Sequence, residues 1–214
     1  MTKDLPDTNA IADRITDGLK RVAAVMRSDE WSTAQAMSIT PTQLQILNVL
    51  EGRMRGLRVT EIAAHLGVSQ PTATDSATAL LRKGYVEKVA GVDRRSSLLV
   101  LTVEGRKALR QAGRAENATR DAVEELPAAE QEELLVSLVR VINTLQEAGA
   151  VPVQRMCVTC KYFEPHRHAG KQGPHHCHFV NAPLRRRDFR VDCREHEIAD
   201  PDTRAATWGS LQTG

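Results

Sequence analysis

The pattern of apolar and polar positions in the first part of the chain predicts helices. Apolar side chains recur every three or four residues along two stretches, as they do on the buried face of an amphipathic helix. The first stripe predicts a helix over roughly residues 9–30 and consists of Ile11, Ile15, Leu19, Val22 and Met26. The second stripe consists of Leu44, Leu47, Leu50 and Met54. Its helix should begin after Thr40, which can form a capping box with Gln43, and should stop at Gly52 or Gly56.

The pattern then changes to two short helices separated by a glycine. Residues 60–66 predict one helix, Gly67 suits a left-handed turn, and Ser69 can cap a second helix that ends near Gly84. The buried face of the second helix is expected to hold Ala73, Ala77, Leu80 and Leu81. This arrangement, over about residues 60–83, predicts a helix-turn-helix, in which the first helix braces the second so that it can enter the DNA major groove.

Short polar side chains occupy the first half of that second helix. Such side chains can reach base edges and phosphates without filling the groove. The candidate DNA-contacting residues are Ser69, Gln70, Pro71, Thr72, Thr74 and Asp75. The alternative is that Gln70, Thr72 and Thr74 form nothing more than a capping turn.

Two short apolar stretches after this helix predict a β-hairpin. The strands cover residues 85–89 and 97–101, and the turn between them carries Arg94 and Arg95. A hairpin directly after a helix-turn-helix is a wing, here over about residues 85–101. Both arginines are candidates to enter the minor groove, whose negative potential favours arginine. The alternative for this charged pair is a solvated turn.

Two more helices complete this part of the chain. Residues 102–105 can cap a long helix that is predicted to run to about Glu125, and a last helix should start at Leu126 and Pro127. The apolar stripe of the last helix consists of Leu134, Leu135, Leu138, Val141, Ile142 and Leu145. This stripe is broad enough to pack both against the core of the chain and against a partner chain. Together with Ile11, Ile15 and Leu19 of the first helix, the residues expected to form a dimer interface are Leu138, Ile142 and Leu145.

The ordered set of motifs resembles the MarR family of winged-helix transcriptional regulators. The match covers roughly residues 10–148, and its motifs are Leu66-Gly67-Val68-Ser69, Leu81-Arg82-Lys83-Gly84-Tyr85-Val86, and Asp93-Arg94-Arg95 followed by Leu101-Thr102-Val103-Glu104-Gly105. The resemblance implies a homodimer formed by the first helix and the last two, a palindromic operator in double-stranded DNA, and release of DNA by a small-molecule effector or by thiol oxidation. It also implies that Asp93 orients a wing arginine rather than touching DNA.

The composition changes sharply near Gly149. All four cysteines, six of the seven histidines and five of the seven aromatic residues lie beyond it. We therefore expect two domains. Residues 1–148 form a mainly α, winged-helix DNA-binding and dimerisation domain with a small β wing, and residues 149–214 form a Cys/His-rich metal-binding module.

The four cysteines predict a metal centre. Cys157 and Cys160 form one Cys-x-x-Cys knuckle, and Cys177 and Cys193 follow after 16 and 15 intervening residues. Clustered cysteines in an intracellular chain are typical of metal or redox sites. Four thiolates can hold a zinc ion or an iron–sulfur cluster, and His196 can replace one of them; the sequence leaves this choice open. With few aliphatic residues in this segment, metal is expected to supply its folding energy.

Net charge and hydropathy bear on how the chain could bind nucleic acid and on where in the cell it is expected. The net charge of +2 requires a local patch for nucleic-acid binding. Five tail arginines could touch phosphates or be solvated surface: Arg185, Arg186, Arg187, Arg190 and Arg194. With no apolar run of membrane-spanning length and no secretory signal, a cytoplasmic location is expected.

The expected function is a homodimeric transcriptional repressor and not an enzyme, because residues 1–148 contain no nucleophile–base pair and no phosphate loop. One alternative is a thiol–disulfide oxidoreductase that uses Cys157 and Cys160, although the βαβ context usual for that motif is missing. The other alternative is a protein-interaction module in which the tail docks a partner.

Overall fold

The computed structural model describes residues 8–53, 55–91, 97–112, 117–168 and 173–213. The chain forms two compact units, Met1–Glu125 and Leu126–Gly214. This division falls earlier than residue 148, where the composition changes. The boundary falls earlier because the apolar side chains of the helix Ala128–Glu147 pack within the second unit.

The first unit is helical with a two-stranded hairpin. Its elements in order are α1 (Thr8–Ala36), α2 (Pro41–Glu51), α3 (Val59–Leu66), α4 (Gln70–Arg82), β1 (Val86–Ala90), β2 (Ser97–Leu101), α5 (Val103–Ala112) and α6 (Ala118–Glu124). The strands are antiparallel, with Val86 opposite Leu101 and Ala90 opposite Ser97. The expected mainly α fold with a helix-turn-helix and a small β wing is confirmed.

Local signals in the sequence explain where these helices start and stop. Thr40 and Gln43 form the predicted capping box at the start of α2, and Gly52 caps its end. Gly67 ends α3 in the left-handed conformation, with φ of 65°, which costs glycine little because it has no Cβ. Met54 lies outside the described residues.

The core of the first unit joins α2, α3, α4 and the hairpin. The fully buried side chains at its centre are Ile46, Leu47, Leu50, Ile62, Leu80 and Leu99. On α4 the buried residues are Ala73, Ser76, Ala77 and Leu80. Leu81, which was expected on this face, is only partly buried, and Ser76 occupies a buried position instead.

The prediction of one long helix from residue 102 to about Glu125 was wrong. Asn117 has φ of −122° and ψ of 90°, which lie outside the helical region, and its side chain accepts the backbone N–H of Arg120 at 2.8 Å. Asparagine favours such caps because its side chain competes for backbone hydrogen bonds. The apolar periodicity of this stretch therefore belongs to two helices, α5 and α6.

The second unit combines two helices with a small sheet. Its elements are α7 (Ala128–Glu147), a 3₁₀ turn (Cys157–Thr159), β3 (Phe163–Glu164), β4 (His175–Cys177), β5 (Ala182–Leu184), a second 3₁₀ turn (Arg186–Asp188) and α8 (Pro201–Thr213). The three strands are antiparallel in the order β3-β4-β5. Helix α7 starts after Pro127, as predicted.

The tail contributes to a core that α7 completes. Val139 of α7 packs with Met156 and Val158, and a neighbouring cluster contains Cys160, Phe163 and Phe189. Leu135 of α7 and Leu211 of α8 contact both clusters. Because its own aliphatic residues are few, the tail was not expected to form a core alone. The structure shows that it shares the apolar side chains of α7.

None of the helices in the described ranges is long and apolar enough to cross a membrane.

A close contact at Gly105 joins the first turn of α5 to the chain that enters the wing. The Thr102 N–H donates to the Tyr85 carbonyl at 3.1 Å, and the Thr102 hydroxyl donates to the Gly84 carbonyl at 2.7 Å. The Gly105 N–H in turn donates to the Thr102 hydroxyl at 3.0 Å. A Cβ at Gly105 would lie 2.0 Å from the Tyr85 carbonyl oxygen, so no larger residue fits.

Gly105→Ala is expected to lower the free energy of unfolding by about 1–3 kcal/mol, because the added methyl group must push α5 away from Tyr85. Urea denaturation followed by circular dichroism measures this change. Arg106→Ala, at the exposed neighbouring position, should change the free energy by less than about 0.5 kcal/mol. Equal stability of the two variants would contradict the packing argument.

Candidate nucleic-acid interface and cysteine cluster

Helix α4 presents a polar surface along its first half. The exposed residues there are Gln70, Pro71, Thr72, Thr74 and Asp75, and Ser69 is exposed at the N-cap. The opposite side of the helix is buried against the core. The structure therefore brings all six predicted residues of this segment together on one solvent-facing surface.

Hydrogen bonds divide these residues into two groups. Ser69 accepts the Thr72 N–H at 3.2 Å, and the two hydroxyl oxygens lie 2.7 Å apart, so this pair caps the helix. The Thr74 hydroxyl donates to the Gln70 carbonyl at 2.8 Å. Within the described part of the chain, the Gln70 and Asp75 side chains make no hydrogen bond. These two are the side chains best placed to bind an external partner.

The predicted wing residues fall between the end of β1 at Ala90 and the start of β2 at Ser97. Asp93, Arg94 and Arg95 lie outside the described residues, so the predicted wing contacts stay predictions. The strands that lead into this loop are paired along their whole length, from Val86 opposite Leu101 to Ala90 opposite Ser97.

A cavity of about 720 Å³ lies in the first unit, beside α1, α5 and α6. Its lining consists of Asp29, Ser32, Thr33, Ala36, Met37, Tyr85, Ala108, Gln111, Ala112, Ala118 and Asp121. The buried Asp29 Oδ2 has no hydrogen-bond partner within the described ranges. The sequence analysis missed this cavity because its walls come from helices that are far apart in the chain.

The four cysteines lie in the second unit, around the first 3₁₀ turn. The Cys160 N–H donates to the Cys157 carbonyl at 3.0 Å, and the Arg190 N–H donates to the Cys157 sulfur at 3.3 Å. Arg190 Nη1 also lies 3.9 Å from the Cys193 sulfur, so Arg190 is close to both Cys157 and Cys193. Cys177 is opposite Phe163 in the small sheet. None of the four forms a disulfide.

Electrostatics shows that the thiols influence one another. Burial raises the pKa of the Cys157 thiol to about 11, and charge on Cys193, Cys160 or Cys177 would raise it further. Burial also raises the pKa of the Cys193 thiol. In this arrangement both thiols are protonated at neutral pH. Among the residues that the structure describes, no three Cys, His, Asp or Glu side chains come close enough together to hold a metal ion.

The histidines near the cysteines are bound to other groups. His196 Nε2 lies 3.0 Å from the hydroxyl of Thr159, inside the Cys157–Cys160 knuckle. His168 Nε2 lies 3.0 Å from His176 Nδ1, and His178 Nε2 lies 2.7 Å from a Glu164 carboxylate oxygen. The structure thus places His196, the predicted substitute ligand, beside the knuckle in contact with a hydroxyl.

His175 is buried on the other side of strand β4 from His176. Its Nδ1 accepts the backbone N–H of His166 at 3.3 Å. Burial lowers the pKa of His175 to about 4, and the neighbouring His166 and Arg186 lower it in the same direction. The ring is therefore neutral near pH 7 and carries its proton on Nε2.

Three of the five tail arginines are paired with carboxylates. Arg185 pairs with Asp188 at 3.0 Å, Arg187 with Glu132 at 3.1 Å, and Arg190 with Glu195 at 3.4 Å. These ion pairs reduce the positive charge available to DNA phosphates. The finding favours the solvated-surface interpretation of this basic segment.

The fold and the exposed polar half of α4 define a winged-helix protein, the architecture of a class of DNA-binding transcriptional regulators. Residues 37–96 match the model of the MarR family. This match confirms, over residues 37–96, the resemblance to the MarR family seen in the sequence. Members of this family are regulators of transcription, not enzymes, which agrees with the expectation from the sequence.

Solved structures share this fold. The chain is similar to the transcriptional regulator BldR from Sulfolobus solfataricus, with 18% identity, 65% of this chain and 99% of BldR covered, and a TM-score of 0.53. It is also similar to a protein of unknown function from Listeria innocua, with 23% identity, 64% and 95% of the two chains covered, and a TM-score of 0.50. No curated protein matches. About a third of this chain has no counterpart in BldR.

Proposed function

We propose that this protein is a homodimeric repressor that binds a palindromic operator in double-stranded DNA. The observation that carries this proposal is the exposed polar surface at the start of α4, presented by a MarR-family winged helix. In a helix-turn-helix the residues at the start of the second helix are the ones that reach base edges. A two-fold dimer places two such helices on half-sites one helical turn apart, so the operator must be palindromic.

Helix α1 supports the dimer because its apolar stripe remains outside the core. Ile11, Ile15, Leu19, Val22 and Met26 are between 43% and 57% exposed in the isolated chain. Their spacing of three or four residues follows one side of the helix. An apolar surface of this length on a single helix is typical of a partner interface.

Helix α7 also supports the dimer, because some of its apolar residues pack in the core of the second unit and others remain exposed. Leu135 and Ile142 pack against the apolar clusters of the second unit. Leu134, Val141 and Leu145 are exposed, and Leu138 is half-buried, on the other side of the helix. These four positions follow a seven-residue repeat. Ile142, which the sequence analysis assigned to the interface, contributes to the core instead.

We also propose that the cysteines bind one metal centre, with zinc as the first candidate and an iron–sulfur cluster as the alternative. The support is that all four thiols lie in one unit around a Cys-x-x-Cys turn, and that the Arg190 N–H donates to the Cys157 sulfur, a hydrogen bond that favours the thiolate. Metal binding requires the sulfurs to lose their protons and move closer together. The centre stabilises the second unit or senses metal or redox state.

The cavity in the first unit is the proposed site of a small-molecule effector. Its volume is in the range of ligand pockets. The unpartnered Asp29 carboxylate oxygen favours an effector that carries a hydrogen-bond donor or a positive charge.

Gln70→Ala is expected to weaken binding to the preferred DNA site by about 5- to 100-fold and to relax base preference at one position in each half-site, because a bidentate base contact contributes about 1–3 kcal/mol. The site is first selected from a random DNA library, and affinities are then measured by fluorescence anisotropy. Thr78→Ala changes an exposed residue two turns further along α4 and should bind like the parent. Unchanged DNA affinity and base preference in Gln70→Ala would contradict the proposal that α4 contacts the bases.

Ile15→Glu combined with Leu19→Glu is expected to shift the protein from dimer to monomer, because two carboxylates cannot be buried across an apolar interface. Sedimentation velocity at micromolar concentration measures the shift. Lys20→Glu lies on the opposite side of α1 and should remain dimeric. A parent protein that sediments as a stable monomer would contradict the dimer.

Cys177→Ser and Cys193→Ser are each expected to reduce the metal content sharply, because three remaining thiolates hold the metal more weakly. Both residues lie outside the apolar clusters, so these variants test metal binding without opening the core. Elemental analysis and visible absorption of anaerobically purified protein distinguish zinc from an iron–sulfur cluster. His178→Gln, next to Cys177, should keep its metal. Parent protein with intact reduced thiols and neither zinc nor iron would refute the proposal.

A further inference from the structure

A second cavity lies inside the second unit, between α7, α8 and the second 3₁₀ turn. Its volume is about 280 Å³, near the lower end of the range for small-molecule sites. The apolar part of its wall consists of Val136, Val139, Val158, Phe189, Trp208 and Leu211. The polar part contains Arg140, Arg186, His166 and His175.

The charge of this cavity has one sign. Arg140 and Arg186 make no ion pair within the described part of the chain, whereas Arg185 and Arg187, on either side of Arg186, each pair with a carboxylate. The lining includes no aspartate or glutamate among the described residues. Two guanidinium groups at an apolar cavity attract an anion, since guanidinium groups bind carboxylates through paired hydrogen bonds.

His175 adds a hydrogen-bond donor to the same wall. Because His175 accepts the His166 N–H at Nδ1, its remaining proton is on Nε2. The cavity thus combines positive charge and an N–H donor with an apolar wall that includes Trp208. Trp208 is half-buried, so its ring borders both the cavity and solvent.

We propose that this cavity binds a small aromatic carboxylate. The carboxylate lies between Arg140 and Arg186, and the ring packs against Val139, Leu211 and Trp208. The size of the cavity fits a single ring with a short acidic substituent. This site is separate from the cavity proposed for the effector in the first unit, because all of its lining residues follow Leu126.

The full-length Trp31→Phe variant offers a local reporter, because Trp208 is then its only tryptophan. Benzoate is the probe, and benzamide, which has the same shape without the charge, is its control. Benzoate is expected to change Trp208 fluorescence with saturation at millimolar concentration, and benzamide is expected to bind at least about 10-fold more weakly. In the reciprocal Trp208→Phe variant, benzoate should leave the fluorescence of Trp31 unchanged.

Substitutions test whether the charges of Arg140 and Arg186 bind the carboxylate. Arg186→Gln and Arg140→Gln should each weaken benzoate binding about 10-fold or more, whereas Arg186→Lys should retain part of the affinity because it keeps the positive charge. Arg187→Gln, the neighbour that pairs with Glu132, is the matched control and should bind benzoate like the parent. Circular dichroism of each variant shows whether the fold is intact.

Three results would overturn the proposal. They are the absence of any saturable fluorescence change with benzoate, equal affinity for benzoate and benzamide, and unchanged benzoate affinity in folded Arg140→Gln and Arg186→Gln variants. These results do not depend on DNA binding or dimerisation, so failure of the cavity proposal is distinguishable from failure of the proposed DNA-binding function.

Discussion

The two apolar sides of helix α7 are the constraint on which the second unit depends. One side, with Leu135, Val139 and Ile142, closes the apolar clusters that hold the tail together. The opposite side remains exposed in the isolated chain, and water-exposed apolar surface of this extent is costly. A second copy of the chain would cover it. A single helix would then stabilise the tail and the dimer at once, so changes in α7 should affect both.

The first unit depends on a close backbone contact that only glycine permits. Gly105 brings α5 against the Tyr85 carbonyl, and Thr102 bonds to the same loop. This loop connects the end of α4 to strand β1. The contact therefore sets the start of the wing relative to α4. It gives a physical reason for the Thr-x-x-Gly motif that follows the second strand.

The proposed cysteine centre would lie in a unit that already has an apolar core. Cys160 is part of that core with Phe163 and Phe189, and Cys157 packs against its edge. Loss of the proposed metal should loosen Cys177 and Cys193, which lie outside the apolar clusters, before it affects the packed groups. That order suits a sensor, in which local rearrangement accompanies metal loss while the unit stays folded. The cavity beside Arg186 and Trp208 lies in the same unit, so a bound anion would stabilise it further.

Local sequence patterns determined most of the winged helix. The capping box at Thr40, the left-handed Gly67 and the cap at Ser69 each act within a few residues, so apolar periodicity and turn chemistry were sufficient to place the helices and strands. The local pattern gave a wrong prediction at Asn117, because this polar side chain caps a new helix where the apolar periodicity had predicted one continuous helix. Only the tertiary structure decided which side of α7 is buried, since that depends on Met156 and Leu211 from distant parts of the chain. The two cavities depend on tertiary structure for the same reason: their walls meet only after folding, and no spacing in the sequence brings their residues together.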